Sequence, residues 1–404
     1  MAEAMPEVRS KLRRRTFLWA GALAAAVPIA SEATLARAAR ASFLGEVPPD
    51  AVLINANENP LGPSKAACQA IADAAPMGGR YDRWDESDKF TQLFASQNGL
   101  KPENVAVYAG SSEPLHYAVL AFTSPERGLV VADPSYESPV VAASVTKARV
   151  RRIPLAADYS HDIRAMVAAD PSAGVIYICN PNNPTGTVSA RDQILWALEN
   201  KPAGSILLVD EAYIHLSDEQ TVLDQVAAGK ELVVLRTFSK VYGMAGIRCG
   251  MAIARPDLLA RLQPYLQNSM PVTALVAARV SLQDPDLVPT RKKWIADTRA
   301  ETIGWLKDSG YKPIGVSHSN CFMIDTGREG HGVIAALRTQ KVYIGRSWPV
   351  WPNAVRVSIG TPDEMAKFRL AFHDVMSKPA LASAIGRGAG RPDLAGSGGA
   401  PFLS

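Results

Sequence analysis

The chain is poor in cysteine, with four (Cys68, Cys179, Cys249 and Cys321) among 404 residues. Their spacing matches neither a metal-binding pattern nor the clustered framework of a disulfide-held domain, so no metal is expected. An excess of one charge is missing too. Residues 1–41 carry seven of the 43 basic residues and three of the 39 acidic ones, which leaves 36 of each in the remainder. A neutral remainder has no electrostatic footprint for nucleic acid. No internal repeat is present. The uncharged, alanine-rich stretch from Thr16 to Ser31 spans 16 residues. That is short of the roughly 20 apolar residues a spanning helix needs, so no stable membrane anchor is expected.

What residues 1–41 do contain is an address. Arg13-Arg14-Arg15-Thr16-Phe17-Leu18 fits the twin-arginine export pattern, with Arg13 standing where that pattern prefers Ser or Thr. Ala36-Arg37-Ala38 and Ala39-Arg40-Ala41 offer small-x-small cleavage sites after the uncharged stretch. The expectation is a signal peptide read by the twin-arginine export machinery, and a periplasmic mature protein. A basic tail with an accidental helix is the plainer reading, and in that case the protein stays in the cytoplasm.

The chemistry sits at the ends of apolar runs. Glu231-Leu232-Val233-Val234-Leu235 reads as a buried strand. Arg236-Thr237-Phe238-Ser239-Lys240 follows, and then Gly246-Ile247-Arg248-Cys249-Gly250. A lysine amine becomes nucleophilic when burial or a neighbouring cation lowers its pKa. Thr237, Ser239 and Arg248 supply two hydroxyls and a guanidinium, a set that fits a phosphate dianion. An amine beside a phosphate cradle is what pyridoxal phosphate chemistry requires. Taken alone, this run reads as a surface lysine after a strand.

Other strand ends change the balance. Ser205-Ile206-Leu207-Leu208-Val209 ends in Asp210, and a carboxylate at the carboxyl end of a buried strand is where ligands bind in open α/β sheets. Such a group would hold a pyridine nitrogen protonated. The apolar run 174–179 leads into Asn180-Pro181-Asn182-Asn183-Pro184-Thr185-Gly186, where flanking prolines make a rigid amide donor. The run 129–133 leads to Tyr136, a ring able to stack on a planar ligand. After the strand-like 104–108, Gly110-Ser111-Ser112 opens a helical run to Phe122, and a helix N-terminus attracts anions. The same residues also make a good N-cap.

In these segments the chain resembles the fold-type I aminotransferases of class I/II, and most of all the histidinol-phosphate aminotransferase group. The matching stretches are Asn57-Glu58-Asn59-Pro60-Leu61-Gly62, Arg80-Tyr81, Gly110-Ser111-Ser112-Glu113, Pro134-Ser135-Tyr136, Asn182-Asn183-Pro184-Thr185-Gly186, Asp210-Glu211-Ala212-Tyr213, Thr237-Phe238-Ser239-Lys240 and Arg356-Val357-Ser358. They follow the family's order from residue 55 to residue 360. The resemblance implies that Lys240 condenses with the aldehyde of pyridoxal 5'-phosphate and then moves the substrate's Cα proton. It implies that Asp210 pairs with the pyridine nitrogen, Asn183 and Tyr213 bind the phenolate oxygen, and Tyr136 stacks on the ring. Ser111, Ser112, Thr237, Ser239 and Arg248 would hold the phosphate. Tyr81 would reach the phosphate of a neighbouring subunit, making the active unit a homodimer. Arg346 and Arg356 would receive the substrate's anionic group, and Leu61 takes the place where some members put a substrate-touching aromatic.

The fold class expected is therefore α/β, with a mostly parallel sheet flanked by helices and a smaller α+β domain. The large domain is placed at 76–289 and the small one at 42–75 plus 290–377, with a long charged helix after Pro289. Residues 378–404, rich in Gly, Ala, Pro and Ser, read as a disordered tail. The expected reaction moves an amino group from an amino donor to a 2-oxo acid such as 2-oxoglutarate. A lyase, racemase or decarboxylase of the same fold would use Lys240 and Asp210 equally well. A non-catalytic sensing domain of a transcription regulator would need a helix-turn-helix that residues 1–41 cannot supply. The donor is either histidinol phosphate-like or an aromatic amino acid. Trp348 and Trp351 flank the arginine segment and either line an apolar pocket or pack the small domain.

Overall fold

The computed structural model describes residues 48–266 and 269–379, so the expected leader at 1–41 and residues 380–404 of the expected tail lie outside the described residues. In chain order the strands are β1 (Val52–Ile54), β2 (Val105–Tyr108), β3 (Gly128–Asp133), β4 (Val150–Pro154), β5 (Ala173–Cys179) and β6 (Ile206–Asp210). They continue as β7 (Leu232–Thr237), β8 (Gly250–Ala254), β9 (Lys312–Ile314), β10 (Cys321–Asp325), β11 (Val342–Ile344) and β12 (Ala354–Ser358).

One sheet of seven strands runs in the order β2-β8-β7-β6-β5-β3-β4. Strands β3 to β7 pair parallel, whereas β8 is antiparallel to both β2 and β7. The sequence reading foresees the parallel strands and not the reversed one. The segment 238–249 between β7 and β8 contains no crossover helix. Without one, the chain returns beside β7 in the antiparallel sense.

Every residue of β5, β6, β7 and β8 is buried, as in a sheet covered on both faces. Alternation divides their side chains between two cores. Val130, Ile176, Ile178, Leu207, Val209 and Val234 pack on one face. Leu129, Val131, Val175, Tyr177, Leu208 and Val233 pack on the other. Asp210 continues the second series, two residues beyond Leu208. The helix Ser112–Phe122 covers that face with Leu115, Ala118, Val119 and Phe122, a spacing of three and four. Burial of each large apolar side chain contributes about 1.5–3 kcal/mol.

Two smaller sheets complete the fold. Strands β9, β10 and β12 form an antiparallel sheet in the order β12-β10-β9, and β1 pairs parallel with β11. The long charged helix starts at Leu287 rather than after Pro289 and runs to Asp308. Pro289 falls in its first turn, where a missing N–H leaves no intrahelical bond unmade. Among the described residues no helix is long and apolar enough to cross a membrane. Asp82, directly after Arg80-Tyr81, organises the next helix: its carboxylate accepts backbone N–H bonds from Glu86 at 3.0 Å and Ser87 at 2.9 Å.

Candidate active site

A cavity of about 350 Å³ opens at the carboxyl edge of the large sheet, and every expected cofactor-side residue except Tyr81 lines it. Tyr136 follows β3, Asn183 follows β5, Asp210 ends β6 with Tyr213 just beyond, and Lys240 follows β7. Because β8 runs backwards, with Gly250 opposite Thr237, the approach to its first residue lies at the same edge. That is how Arg248 reaches the group.

One end of the cavity is a cradle of donors. Ser111 occupies the N-cap of the helix Ser112–Phe122 without a side-chain capping bond. Its hydroxyl is therefore not spent on the helix, and the N-terminal N–H groups face the same space. Arg248 has φ +68°, a left-handed conformation that costs a non-glycine residue and clusters at functional sites. Its guanidinium donates to the carbonyls of Ala245 at 2.7 Å and Ala109 at 3.0 Å. Gly110 permits this approach, since a Cβ there would stand 2.1 Å from Arg248 Nη2. Thr237 Oγ1 donates to Ser239 Oγ at 2.9 Å beside it. Hydroxyls, backbone N–H groups and a guanidinium converging on one space match a phosphate dianion.

The other end holds a buried acid. Asp210 is 3% exposed. Burial pushes its carboxyl up to about 6, while the Tyr177 hydroxyl, the Ala212 N–H and the charge of Lys240 pull it down. Tyr177 donates to Oδ2 at 3.0 Å and the Ala212 N–H to Oδ1 at 3.1 Å. A carboxylate kept in such a place is a partner for a ring cation, which would return it to the charged form. Tyr177 was not foreseen as a site residue. Its signal was a phenol in an otherwise aliphatic strand, which requires a partner when buried.

Between the two ends lies Lys240, 9% exposed, with Nζ donating to the Asn57 carbonyl at 3.1 Å and lying 5.2 Å from the centre of the Tyr213 ring. Asn57, which opens the stretch Asn57-Glu58-Asn59-Pro60, is a hub that its sequence alone does not reveal. Its backbone is left-handed at φ +51°. Its amide donates to Tyr213 Oη at 3.1 Å, and its N–H donates to Ser358 Oγ at 2.8 Å. Asn320 Nδ2 donates to its carbonyl at 3.0 Å. One asparagine thus connects the lysine, the tyrosine and β12.

The expected substrate-side residues are arranged differently. Arg356, in β12, is fully buried; Nη1 donates to Asn183 Oδ1 at 2.9 Å and Nη2 to the Asn55 carbonyl at 2.7 Å. Arg346 forms a two-bond ion pair with Glu137, Nη1 to Oε1 at 2.9 Å and Nη2 to Oε2. Trp348 is 2% exposed and packs with Met323 and Ala354, and Trp351 joins the same cluster. Of the two readings for these tryptophans, packing is what the structure shows, here with residues of the β12-β10-β9 sheet, and neither lines the cavity. Leu61 is 43% exposed and Tyr81 85% exposed, and neither reaches the cavity of this chain.

Comparison with known proteins agrees with this architecture. The sequence model of the class I and II aminotransferases matches residues 49–371, and the chain belongs to that family. It is 30% identical over 348 residues to the histidinol-phosphate aminotransferase of Moorella thermoacetica, covering 81% of this chain and 86% of that protein. It is 32% identical over 332 residues to the aromatic amino acid aminotransferase of Nocardia farcinica, covering 80% and 91%. The solved histidinol-phosphate aminotransferase of Sinorhizobium meliloti, in complex with pyridoxal-5'-phosphate, matches with a TM-score of 0.78 over 90% of this chain and 99% of that one. At 24% identity that likeness speaks for the fold, which is fold type I. The enzyme is a transaminase dependent on pyridoxal 5'-phosphate, and the donor set of the cavity fits that group.

Proposed function

We propose that this transaminase takes its amino group from an amino acid with an uncharged, aromatic side chain and gives it to a 2-oxo acid such as 2-oxoglutarate. Pyridoxal phosphate, when bound, supplies the electron sink that makes a substrate Cα–H acidic. Lys240 holds the cofactor and carries the proton to and from Cα. Asp210 accepts a hydrogen bond from the ring nitrogen and keeps it protonated. Asn183 and Tyr213 bind the phenolic oxygen, Tyr136 covers the ring, and Ser111, Ser112, Thr237, Ser239 and Arg248 hold the phosphate. Arg356 receives the substrate carboxylate.

The observation that carries the choice of donor is the Arg346–Glu137 pair. Arg346, Arg356 and Glu137 together sum to one positive charge, which matches one carboxylate. A phosphate ester such as histidinol phosphate gathers nearly two negative charges on one group, whereas 2-oxoglutarate carries one on each of two carboxylates, and that group calls for a second cation. The kinship with an aromatic amino acid aminotransferase points the same way. Histidine synthesis is also a cytoplasmic business, and the leader argues against it. A donor panel with 2-oxoglutarate as acceptor tests the reading: phenylalanine and tyrosine should yield glutamate. Histidinol phosphate as the best donor, by roughly tenfold in kcat/KM, reverses it.

Export is the second part of the proposal. Loading with cofactor in the cytoplasm followed by export of the folded enzyme accounts for a twin-arginine address on a cofactor-dependent chain. Arg14→Lys with Arg15→Lys conserves charge and should trap a folded, active enzyme in the cytoplasm, because the receptor reads the pair as an address. The native chain should appear in the periplasm with a new N-terminus near Ala39 or Ser42. Equal cytoplasmic retention of both removes the export reading. The exposure of Tyr81 supports its reaching a second copy, and a monomer in solution would count against that.

A further inference from the structure

We infer that Glu137 is a specificity-determining residue: by neutralising Arg346 it sets the charge of the anionic group that a substrate presents beside Arg356. The inference rests on the donor reading above and adds a residue that performs the selection. Glu137 directly follows Tyr136, which lines the cavity, and occupies the N-cap of the helix Ser138–Thr146. An acid at that position ordinarily serves the helix, but Glu137 makes no side-chain capping bond. Its carboxylate is 12% exposed and directed across to Arg346, which is 20% exposed.

The arginine is held in place by more than the acid. Its Cζ stacks 4.1 Å from the centre of the Trp348 ring, and Arg356 Cζ lies 5.7 Å from the same ring. The Arg356 N–H donates to the Arg346 carbonyl at 3.1 Å. The indole, nearly fully buried, therefore orients both guanidinium groups, and the position of Arg346 does not depend on Glu137 alone. Glu137 takes one N–H from each Nη of Arg346, so each of them keeps a second N–H as a donor. With Glu137 ionised, the second arginine contributes hydrogen-bonding capacity but little net charge. A carboxylate is served by that arrangement, and a single group bearing two charges, such as a phosphate ester, is left one cation short.

A purely structural role, tying the loop after β3 to the segment after β11, would leave charge preference untouched. The test therefore reads a ratio. The holoenzyme is titrated calorimetrically with 3-phenylpropionate and with 2-phenylethyl phosphate at about pH 8, where the ester carries close to two charges. These unreactive probes share an aromatic body and differ in their anion. In the native enzyme the carboxylate should bind at least as well as the phosphate ester. Glu137→Gln, close to isosteric, should shift the affinity ratio toward the ester by roughly tenfold, and Glu137→Asp should keep the native preference. Arg346→Gln, which leaves the acid unmatched, should shift the ratio the opposite way. A ratio that stays within about twofold in both Glu137→Gln and Arg346→Gln overturns the inference. If amino acids prove to be donors and the ratio does not move, the inference falls alone. If the ratio moves as stated and no amino acid is a donor, the donor reading falls alone.

Discussion

At its cofactor end the cavity takes its side chains from the ends of β2, β3, β5, β6 and β7 and the approach to β8, neighbours in one sheet. The substrate end stands behind that lining: Arg356 lies in β12 and Arg346 just past β11, and both are held by residues far away in sequence, Glu137, Asn183 and Asn55. The first end is a set of loops whose positions are fixed as soon as the strands stack in order. The second is a set of pairings between a small-sheet element and the large one. The difference teaches which end can be altered alone. Charges at the substrate end can be reassigned without moving a strand, whereas displacing any loop at the cofactor end disturbs its sheet.

The sharpest way to break this comparison is at Lys240. Lys240→Ala should lower turnover by roughly a thousandfold or more, because no other amine in the cavity can take over both tethering and proton transfer. The fold should survive, since Lys240 lines the cavity just past β7 and is not part of the packed faces of the sheet. Borohydride reduction followed by peptide mapping should place a pyridoxyl mark on Lys240 in the native enzyme and on no residue in the variant. Near-native turnover in the variant would remove the lysine from the mechanism and with it the assignment of the whole edge.

A smaller effect is expected at the substrate end. Arg356→Lys retains a positive charge but cannot bridge Asn183 Oδ1 and the Asn55 carbonyl with one planar group. Donor KM should rise by roughly ten- to a hundredfold, with kcat reduced less and the cofactor still bound. The contrast with Lys240→Ala is the point of the measurement. If Arg356→Lys loses cofactor instead, the two ends are not separable, and Asn183 is the residue through which they are joined.

The same contrast explains what could be read from the sequence. Residues 206–210 and 232–237 announce themselves by composition: a β-branched or aliphatic run cannot be soluble unless buried, and a polar residue at its end has a place assigned by the run. Asp210 was legible for that reason, Lys240 once the other strand ends stood beside it, and Tyr213 through the family resemblance. Arg248 was legible as chemistry, although its route to the site depends on the reversal of β8, which no local pattern encodes. Glu137 and Asn57 act through partners more than 150 residues away. Asn57 opens a stretch shared with the family, yet neither residue type is unusual for a loop, so nothing local marks what they pair with. Trp348 is the opposite case, a conspicuous residue that the sequence reads two ways and whose place is in the packing under both arginines.

The smallest effect is also the one with the most definite sign. Burial raises the Asp210 carboxyl from 3.8 to about 6. A raised folded-state value means that the folded protein holds this proton more tightly than the unfolded chain does. The stability due to the group is fully present below about pH 4 and is lost as pH rises to about 6 and beyond. At neutral pH the charged carboxylate costs the cofactor-free protein up to about 3 kcal/mol. Asp210→Asn removes that charge but also one of two accepted hydrogen bonds, since an amide has one acceptor oxygen, a loss of about 1 kcal/mol. The cofactor-free variant should therefore be more stable than the cofactor-free native protein at pH 7, by about 1–2 kcal/mol, or a few degrees in Tm. Below about pH 4 the advantage should vanish or reverse, because the native carboxyl is then neutral as well. With pyridoxal phosphate bound the order at pH 7 should invert, since the ring cation then pairs with the native carboxylate and has no charged partner in the variant. Thermal unfolding of the two proteins, with and without cofactor at both pH values, decides the matter. A variant that is less stable at pH 7 without cofactor would show that Tyr177, Ala212 and Lys240 already hold Asp210 charged, and that the cofactor end is preorganised before the cofactor arrives.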